Sequence, residues 1–212
     1  MIPLVRSWWS RRPWAPTLLL AAAILAACGE KVPPLPRLGG DAVVLAFGDS
    51  LTYGTGAAPD ESYPAALARL IGRSVVSSGV PGELSGDALA RLPAALDEHR
   101  PALLLLCSGG NDLLRRVDES RIEANLRAMI ELARSRGVAV VLIGVPRPRL
   151  IGGPPEFYSR LAGEFRLPYE GEIVKSLLFD NATKSDLIHP NADGYRRMAE
   201  AIARLLKEGG AV

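Results

Sequence analysis

Four short stretches of this chain hold residue types that can carry out acyl transfer together. They are Phe-Gly-Asp-Ser-Leu (47–51), Gly-Val-Pro-Gly-Glu (79–83), Gly-Asn-Asp (110–112) and Asp-Leu-Ile-His-Pro (186–190). Attack on a carbonyl carbon needs a hydroxyl nucleophile, a base, a group that orients the base, and fixed donors for the oxyanion. Ser50, His189 and Asp186 are of the types that supply the first three. A carboxylate three residues before an imidazole can accept the Nδ1 proton and leave Nε2 facing outward, as a general base requires. The backbone N–H groups of Ser50 and Gly82 and the side-chain amide of Asn111 are candidate oxyanion donors. Gly82 lets an oxygen come close to its N–H, and the Asn111 amide is neutral at any working pH. The second histidine, His99, stands among charges at a helix end, which suits a solvated or dipole-stabilised cation.

Taken singly, each piece has an ordinary use. A serine after a strand is commonly a helix cap, and Asp-x-x-His is a common polar turn. The joint presence of all four carries the catalytic reading.

For these residues to meet, the fold must bring four connections to one edge. Residues 43–47 are an apolar run rich in β-formers, read as a buried strand that stops at Gly48-Asp49-Ser50. In an open α/β sheet, ligands bind outside the carboxyl ends of the strands. Further strands are expected over 74–77, 102–107, 138–143 and, shorter, 167–169. Helical patterns lie between them. One runs over 64–71, capped by Ser62 with Pro64 in its first turn. A second spans 85–98, with Leu89, Leu92 and Leu96 on one face and Pro93 interrupting it. A third covers 120–136 and is ended by Gly137. After the Pro/Gly-rich loop 144–155, a helix runs to about Phe165, and a last one ends at Leu206. Strands separated by helices of this length call for a parallel sheet covered on both faces. The expectation is a single three-layer α/β/α domain over 41–212 with no internal repeat.

The four stretches, in order, resemble the characteristic blocks of the SGNH (GDSL) hydrolases, closest to the bacterial thioesterase/lysophospholipase/arylesterase branch. The likeness runs from about Asp41 to Leu206. It implies a flavodoxin-like fold with five parallel strands. It also implies a triad of Ser50, His189 and Asp186, an oxyanion hole of Ser50, Gly82 and Asn111, and an acyl-enzyme on Ser50 formed from an ester or thioester without metal or cofactor. The implied substrate is a small ester or an acyl lipid. One departure, Ser77-Ser78-Gly79 where some relatives have Asn-Ala-Ser, bears on substrate preference. Gly-x-Ser-x-Gly is absent around Ser50, so this is not the nucleophile elbow of the α/β-hydrolases. Two other readings stand beside it: a carbohydrate O-acetylesterase acting on envelope glycans, and a non-catalytic ligand-binding lipoprotein. The loop 145–153 has two readings of equal weight: a border of the acyl pocket with Leu150-Ile151 as an apolar wall, or an exposed surface loop.

The start of the chain reads as an address. Arg6, Arg11 and Arg12 form a basic region, residues 17–27 are almost purely apolar, and Leu25-Ala26-Ala27-Cys28 resembles a bacterial lipobox. The expectation is a signal peptide over 1–27, acylated Cys28 as the mature N-terminus, and a Pro/Gly-rich tether over 28–40. This points to an envelope protein anchored by lipid and facing the periplasm or another extracytoplasmic space. The signal carries three of the 25 basic and none of the 23 acidic residues, so 22 basic against 23 acidic remain. That balance offers no nucleic-acid footprint. The remaining 185 residues suit one domain acting as a monomer. Cys107 is expected to be a buried strand residue, with no intrachain disulfide and no metal site.

Overall fold

The computed structural model describes residues 32–147 and 152–212. The expected signal peptide, the acylated Cys28 and the Leu150-Ile151 wall lie outside the described residues.

Five parallel strands form one sheet: β1 (Val43–Gly48), β2 (Ser74–Gly79), β3 (Leu103–Cys107), β4 (Ala139–Ile143) and β5 (Tyr169–Glu170). Their order is β2-β1-β3-β4-β5, the flavodoxin-like arrangement. The central strand β3 is Leu-Leu-Leu-Leu-Cys and every residue of it is buried, because parallel strands are covered on both faces. Cys107 is fully buried and is a free thiol. β1 changes neighbours here: β2 lies on one side of it and β3 on the other. Their connections depart in opposite directions, which opens a crevice at the carboxyl ends of β1 and β3.

Eight helices surround the sheet among the described residues: α1 (Ser50–Tyr53), α2 (Tyr63–Ile71), α3 (Ser85–His99), α4 (Gly110–Leu114), α5 (Glu119–Ser135), α6 (Glu156–Phe165), α7 (Ile173–Phe179) and α8 (Ala192–Glu208). α2 packs with α8, while α3 packs with α5 and α5 with α6, giving a helical layer on each face. The three-layer α/β/α expectation therefore matches the structure. α3 runs unbroken through Pro93. Three short helices, α1, α4 and α7, were not expected; each has only one or two turns, too few to show a periodic apolar face. Ser62 precedes α2 as expected, but its Oγ donates to the Pro59 carbonyl and does not cap the helix.

The expected boundary at residue 41 is corrected. Leu35 N–H donates to the Gly209 carbonyl and Leu38 N–H to that of Ala211, both at 2.8 Å. The Leu38 side chain is in the core. From Val32 onward the chain packs on the domain. The apolar Val32, Leu35 and Leu38 pack on the core and anchor this segment.

Candidate active site

β1 delivers Ser50. It ends on Gly48, where a Cβ would stand 1.9 Å from the Cys107 carbonyl oxygen, so only glycine lets β1 and β3 close up at this point. Asp49 follows as the N-cap of α1, its Oδ1 accepting from Leu51 N–H at 3.0 Å. Ser50 is the first helical residue and stands half-buried at the carboxyl edge.

His189 comes from the connection before α8. Asp186 Oδ1 accepts from the N–H of Ile188 (2.8 Å) and of His189 (2.9 Å), folding 186–189 into a tight turn. The turn is closed from behind by Ser185 N–H donating to the His189 carbonyl at 2.9 Å. Asp186 Oδ2 then meets His189 Nδ1 at 2.8 Å, and His189 Nε2 meets Ser50 Oγ at 3.0 Å. Partial burial pushes the Asp186 carboxyl upward, but hydrogen bonds from His189 and Ile188 outweigh this and hold it below the ordinary carboxylate value. Asp186 thus remains an anion that fixes the tautomer with Nδ1–H facing the carboxylate.

β3 delivers Asn111 through α4, and β2 delivers Gly82. Gly82 has φ +78°, in the left-handed region that glycine enters without strain. Asn111 Nδ2 donates to the Glu83 carbonyl at 3.0 Å and makes a longer 3.4 Å contact with Asp49 Oδ2. Among the described residues, the N–H groups of Ser50 and Gly82 have no hydrogen-bond partner. Each of the candidate donors therefore lies at the same carboxyl edge. Gly82 stands slightly apart, exposed and outside the lining of the cleft beside Ser50.

Three groups whose roles sequence reasoning passed over, Asp49, Arg91 and Asp112, hold this edge together. Asp49 is 2% exposed. Burial pushes its carboxyl up to about 6; the Leu51 N–H and the nearby His189 oppose the rise, while Glu83 and Asp112 add to it. Arg91 on α3 grips Glu83 with Nε (2.5 Å) and Nη2 (2.8 Å). It also donates to Ser78 Oγ and to the carbonyls of Ser78 and Gly48, and its guanidinium lies 3.9 Å over the Phe47 ring. One side chain therefore ties the ends of β1 and β2 to the turn that carries Gly82. Asp112 does the same for α3 and α4, accepting from Ser85 N–H and Ser85 Oγ at 2.8 and 2.7 Å.

The cleft beside Ser50 holds about 400 Å³ and is lined by Leu51, Leu114, Val145, Leu178, Phe179 and Ile188 with Asn111 and His189. Part of its apolar wall, Leu114, Leu178 and Phe179, comes from α4 and α7, elements the sequence did not reveal. Val145 and Pro146 border it, in line with the first of the two readings of their loop. Leu114, Phe179 and Leu187 are 42%, 56% and 74% exposed at its mouth. His99 takes no part: it ends α3 and lies 3.9 Å from Glu98. Among the described residues no group of three His, Cys, Asp or Glu side chains is arranged to hold a metal ion.

Comparison with known proteins agrees with this geometry. The family model described as GDSL-like Lipase/Acylhydrolase matches residues 46–197. "Esterase TesA" of Pseudomonas aeruginosa is 30% identical over 175 residues, covering 77% of this chain and 87% of that protein. "Thioesterase 1/protease 1/lysophospholipase L1" of Escherichia coli K12 is 30% identical over 172 residues, covering 77% and 83%. The crystal structure of TesA superposes with a TM-score of 0.71 at 27% identity, over 79% of this chain and 99% of that one.

Proposed function

The chain belongs to the GDSL-like lipase/acylhydrolase family and is a serine ester hydrolase, and from that premise we propose which residues do the work. Ser50 is the nucleophile, His189 the base and Asp186 the group that orients it. His189 Nε2 takes the Ser50 proton as Oγ attacks the carbonyl carbon. The tetrahedral oxyanion is held by the N–H groups of Ser50 and Gly82 and by the Asn111 amide, which exchanges its long contact with Asp49 for the substrate oxygen. His189 then protonates the departing alcohol or thiol, leaving an acyl-Ser50. Water then gives a proton to His189 and attacks the acyl carbon, and as the C–Oγ bond breaks His189 returns that proton to Ser50 Oγ and the acid leaves. One chain supplies each of these groups, which suits a monomer.

The observation that carries this reading is the unbroken line Asp186–His189–Ser50 opening on an apolar cleft. The cleft also supports the choice of substrate, esters or thioesters of medium to long acyl chains. An acetyl group on a glycan would leave most of such a wall unused, and a pure binding protein would have no need of the aligned base. The lipidated Cys28 and the envelope location belong to the same proposal and rest on the order of basic, apolar and small residues before Cys28.

The test is hydrolysis of p-nitrophenyl esters from acetate to palmitate by the parent protein and by Ser50→Ala. Activity that vanishes in the variant and rises beyond acetate supports the reading. Activity confined to acetate returns it to the O-acetylesterase, and full activity in Ser50→Ala overturns the triad.

A further inference from the structure

The cleft lies at the carboxyl edge of the sheet; the opposite, amino edge has a different character. In a parallel sheet each crossover helix ends where the next strand starts, so the last turns of α2, α3, α5 and α6 gather at that amino edge. α8 begins three residues after His189 and ends there too, after 17 residues, or about 25 Å of helix. Residues 32–42 complete this pole, since Leu35 and Leu38 are bonded to Gly209 and Ala211 just beyond α8.

The last turns of these five helices, the residues directly after them and residues 32–42 carry eight basic side chains against five acidic ones. Asp97 is taken by Arg136, and Glu164 by Arg127, which lies further up α5. Arg69 turns back to the Asp60 carbonyl at 2.9 Å, toward the cleft edge, so six cations face three acids. Arg37, Arg73, Arg100, Arg134, Arg166 and Lys207 form no ion pair among the described residues, and all but Arg73 are exposed. Basic groups at helix ends answer the macrodipole, but Arg37 belongs to no helix and adds to the same face.

We infer that this basic pole docks on an anionic bilayer surface, with the catalytic cleft turned away from it. The inference rests on the reading of Cys28 as the lipid attachment. Four peptide steps separate Cys28 from Val32, the first residue described on the domain, and cover at most about 14 Å. A chain that short delivers this pole to the headgroups and not the cleft, about 25 Å further out. One lipid-modified residue and a cluster of cations are together the two signals that make membrane attachment stable. The substrates of the cleft then arrive through water, not from the bilayer that holds the anchor.

The experiment uses the full-length protein purified from membranes and reconstituted into phosphatidylcholine vesicles with or without phosphatidylglycerol. A donor fluorophore is placed on Ser135→Cys at the pole or on Asp60→Cys beside the cleft edge, with Cys107 buried and unreactive, and an acceptor is placed in the lipid. Transfer should be clearly stronger from 135 than from 60 on anionic vesicles, and the contrast should weaken when phosphatidylglycerol is omitted or salt is raised to about 0.5 M. Equal transfer from both positions, stronger transfer from 60, or indifference to lipid charge overturns the inference. In a Cys28→Ala background, reversal of exposed charges with Arg37→Glu and Lys207→Glu should lower affinity for anionic vesicles at least tenfold; unchanged affinity overturns the docking face. The Cys28→Ala chain separates the two readings. If it stays on vesicles at high salt as firmly as the parent, the lipid reading falls while the pole is judged by the charge reversal. Hydrolysis of soluble p-nitrophenyl butyrate reports on the esterase alone and should not change in the reversed variant.

Discussion

Ser50 Oγ and His189 Nε2 meet at 3.0 Å although 139 positions separate them in the chain. The contact is made by two independent devices: a strand that ends on a glycine, and a turn folded around the Asp186 carboxylate. Each half can therefore be broken without the other. Ser50→Ala should lower kcat by roughly 10⁴-fold or more while the protein remains folded. Asp186→Asn should cost on the order of 10⁴-fold, because an amide there no longer fixes Nδ1–H. Steady-state hydrolysis of p-nitrophenyl butyrate, with circular dichroism as the control for folding, measures both.

Asn111 should behave differently from the triad. Its amide is kept in place by the Glu83 carbonyl and meets the substrate oxygen only as charge develops on it. Asn111→Ala is therefore expected to lower kcat by roughly 10²- to 10³-fold with little change in KM. A comparable rise in KM with unchanged kcat would mean that the amide binds the ground state instead.

Asp49 makes the stability of the fold depend on pH in a predictable direction. Its folded pKa, about 6, lies above the ordinary 3.8, so the folded state holds the proton more tightly than the unfolded chain. The stabilisation is complete below about 3.8 and is lost as pH rises through 6, in total about 3 kcal/mol at 1.36 kcal/mol per unit. Asp186, Asp193 and Glu164 are held below their ordinary values, so their contribution is lost only as pH falls through the acid range. Urea unfolding at pH 4.5, 6 and 7.5 should show the parent losing stability with rising pH, and Asp49→Asn should flatten that slope. An identical slope in both proteins would show that Asp49 stays charged throughout.

Arg91 predicts a structural effect at the same edge. It is the partner of Glu83, whose side chain is only 6% exposed, and it satisfies two strand-end carbonyls. Arg91→Ala leaves a nearly buried carboxylate without its cation, a change that costs roughly 3–5 kcal/mol. For a domain of this size that lowers Tm by about 6–20 °C. Arg91→Lys should recover less than half of this, since an ammonium cannot grip Glu83 with two parallel bonds. Calorimetry on the three proteins decides it.

How much of this was legible in the sequence follows from what leaves a local pattern. The strands β1, β3 and β4 are uninterrupted apolar runs, and α3, α5 and α8 carry apolar stripes over four turns, so the three layers could be read directly. Ser50, Gly82 and Asn111 could be read because each follows a strand, and Asp186 and His189 because they share one short turn. Arg91 could not: its partners Glu83, Ser78 and Gly48 are 8, 13 and 43 positions away, and nothing in a helical pattern distinguishes an arginine that turns inward. Segment 32–40 was misread for a related reason. Its prolines and glycines signal extended chain correctly, but extended chain can lie on a surface, and its partners, Gly209 and Ala211, are at the other end of the sequence. The part of the cleft wall on α4 and α7 was illegible because these helices are too short to declare themselves.

That wall sets the last prediction. Phe179 ends α7 and lines the cleft together with Leu114, both partly exposed. An acetyl group on Ser50 is too short to involve the mouth, whereas each further methylene that enters covers apolar surface worth about 0.8 kcal/mol when fully buried. Truncating Phe179 to Ala removes part of that surface, so the loss should grow with chain length: near none for p-nitrophenyl acetate and about tenfold in kcat/KM for the decanoate. Because the side chain is half exposed, stability should change little. Leu114→Ala should act in the same direction and more weakly, having less area to lose. A uniform loss over all chain lengths in both variants would mean that these residues shape the oxyanion edge and not the acyl path, and the acyl chain would then have to leave the cleft toward Val145 and Arg147.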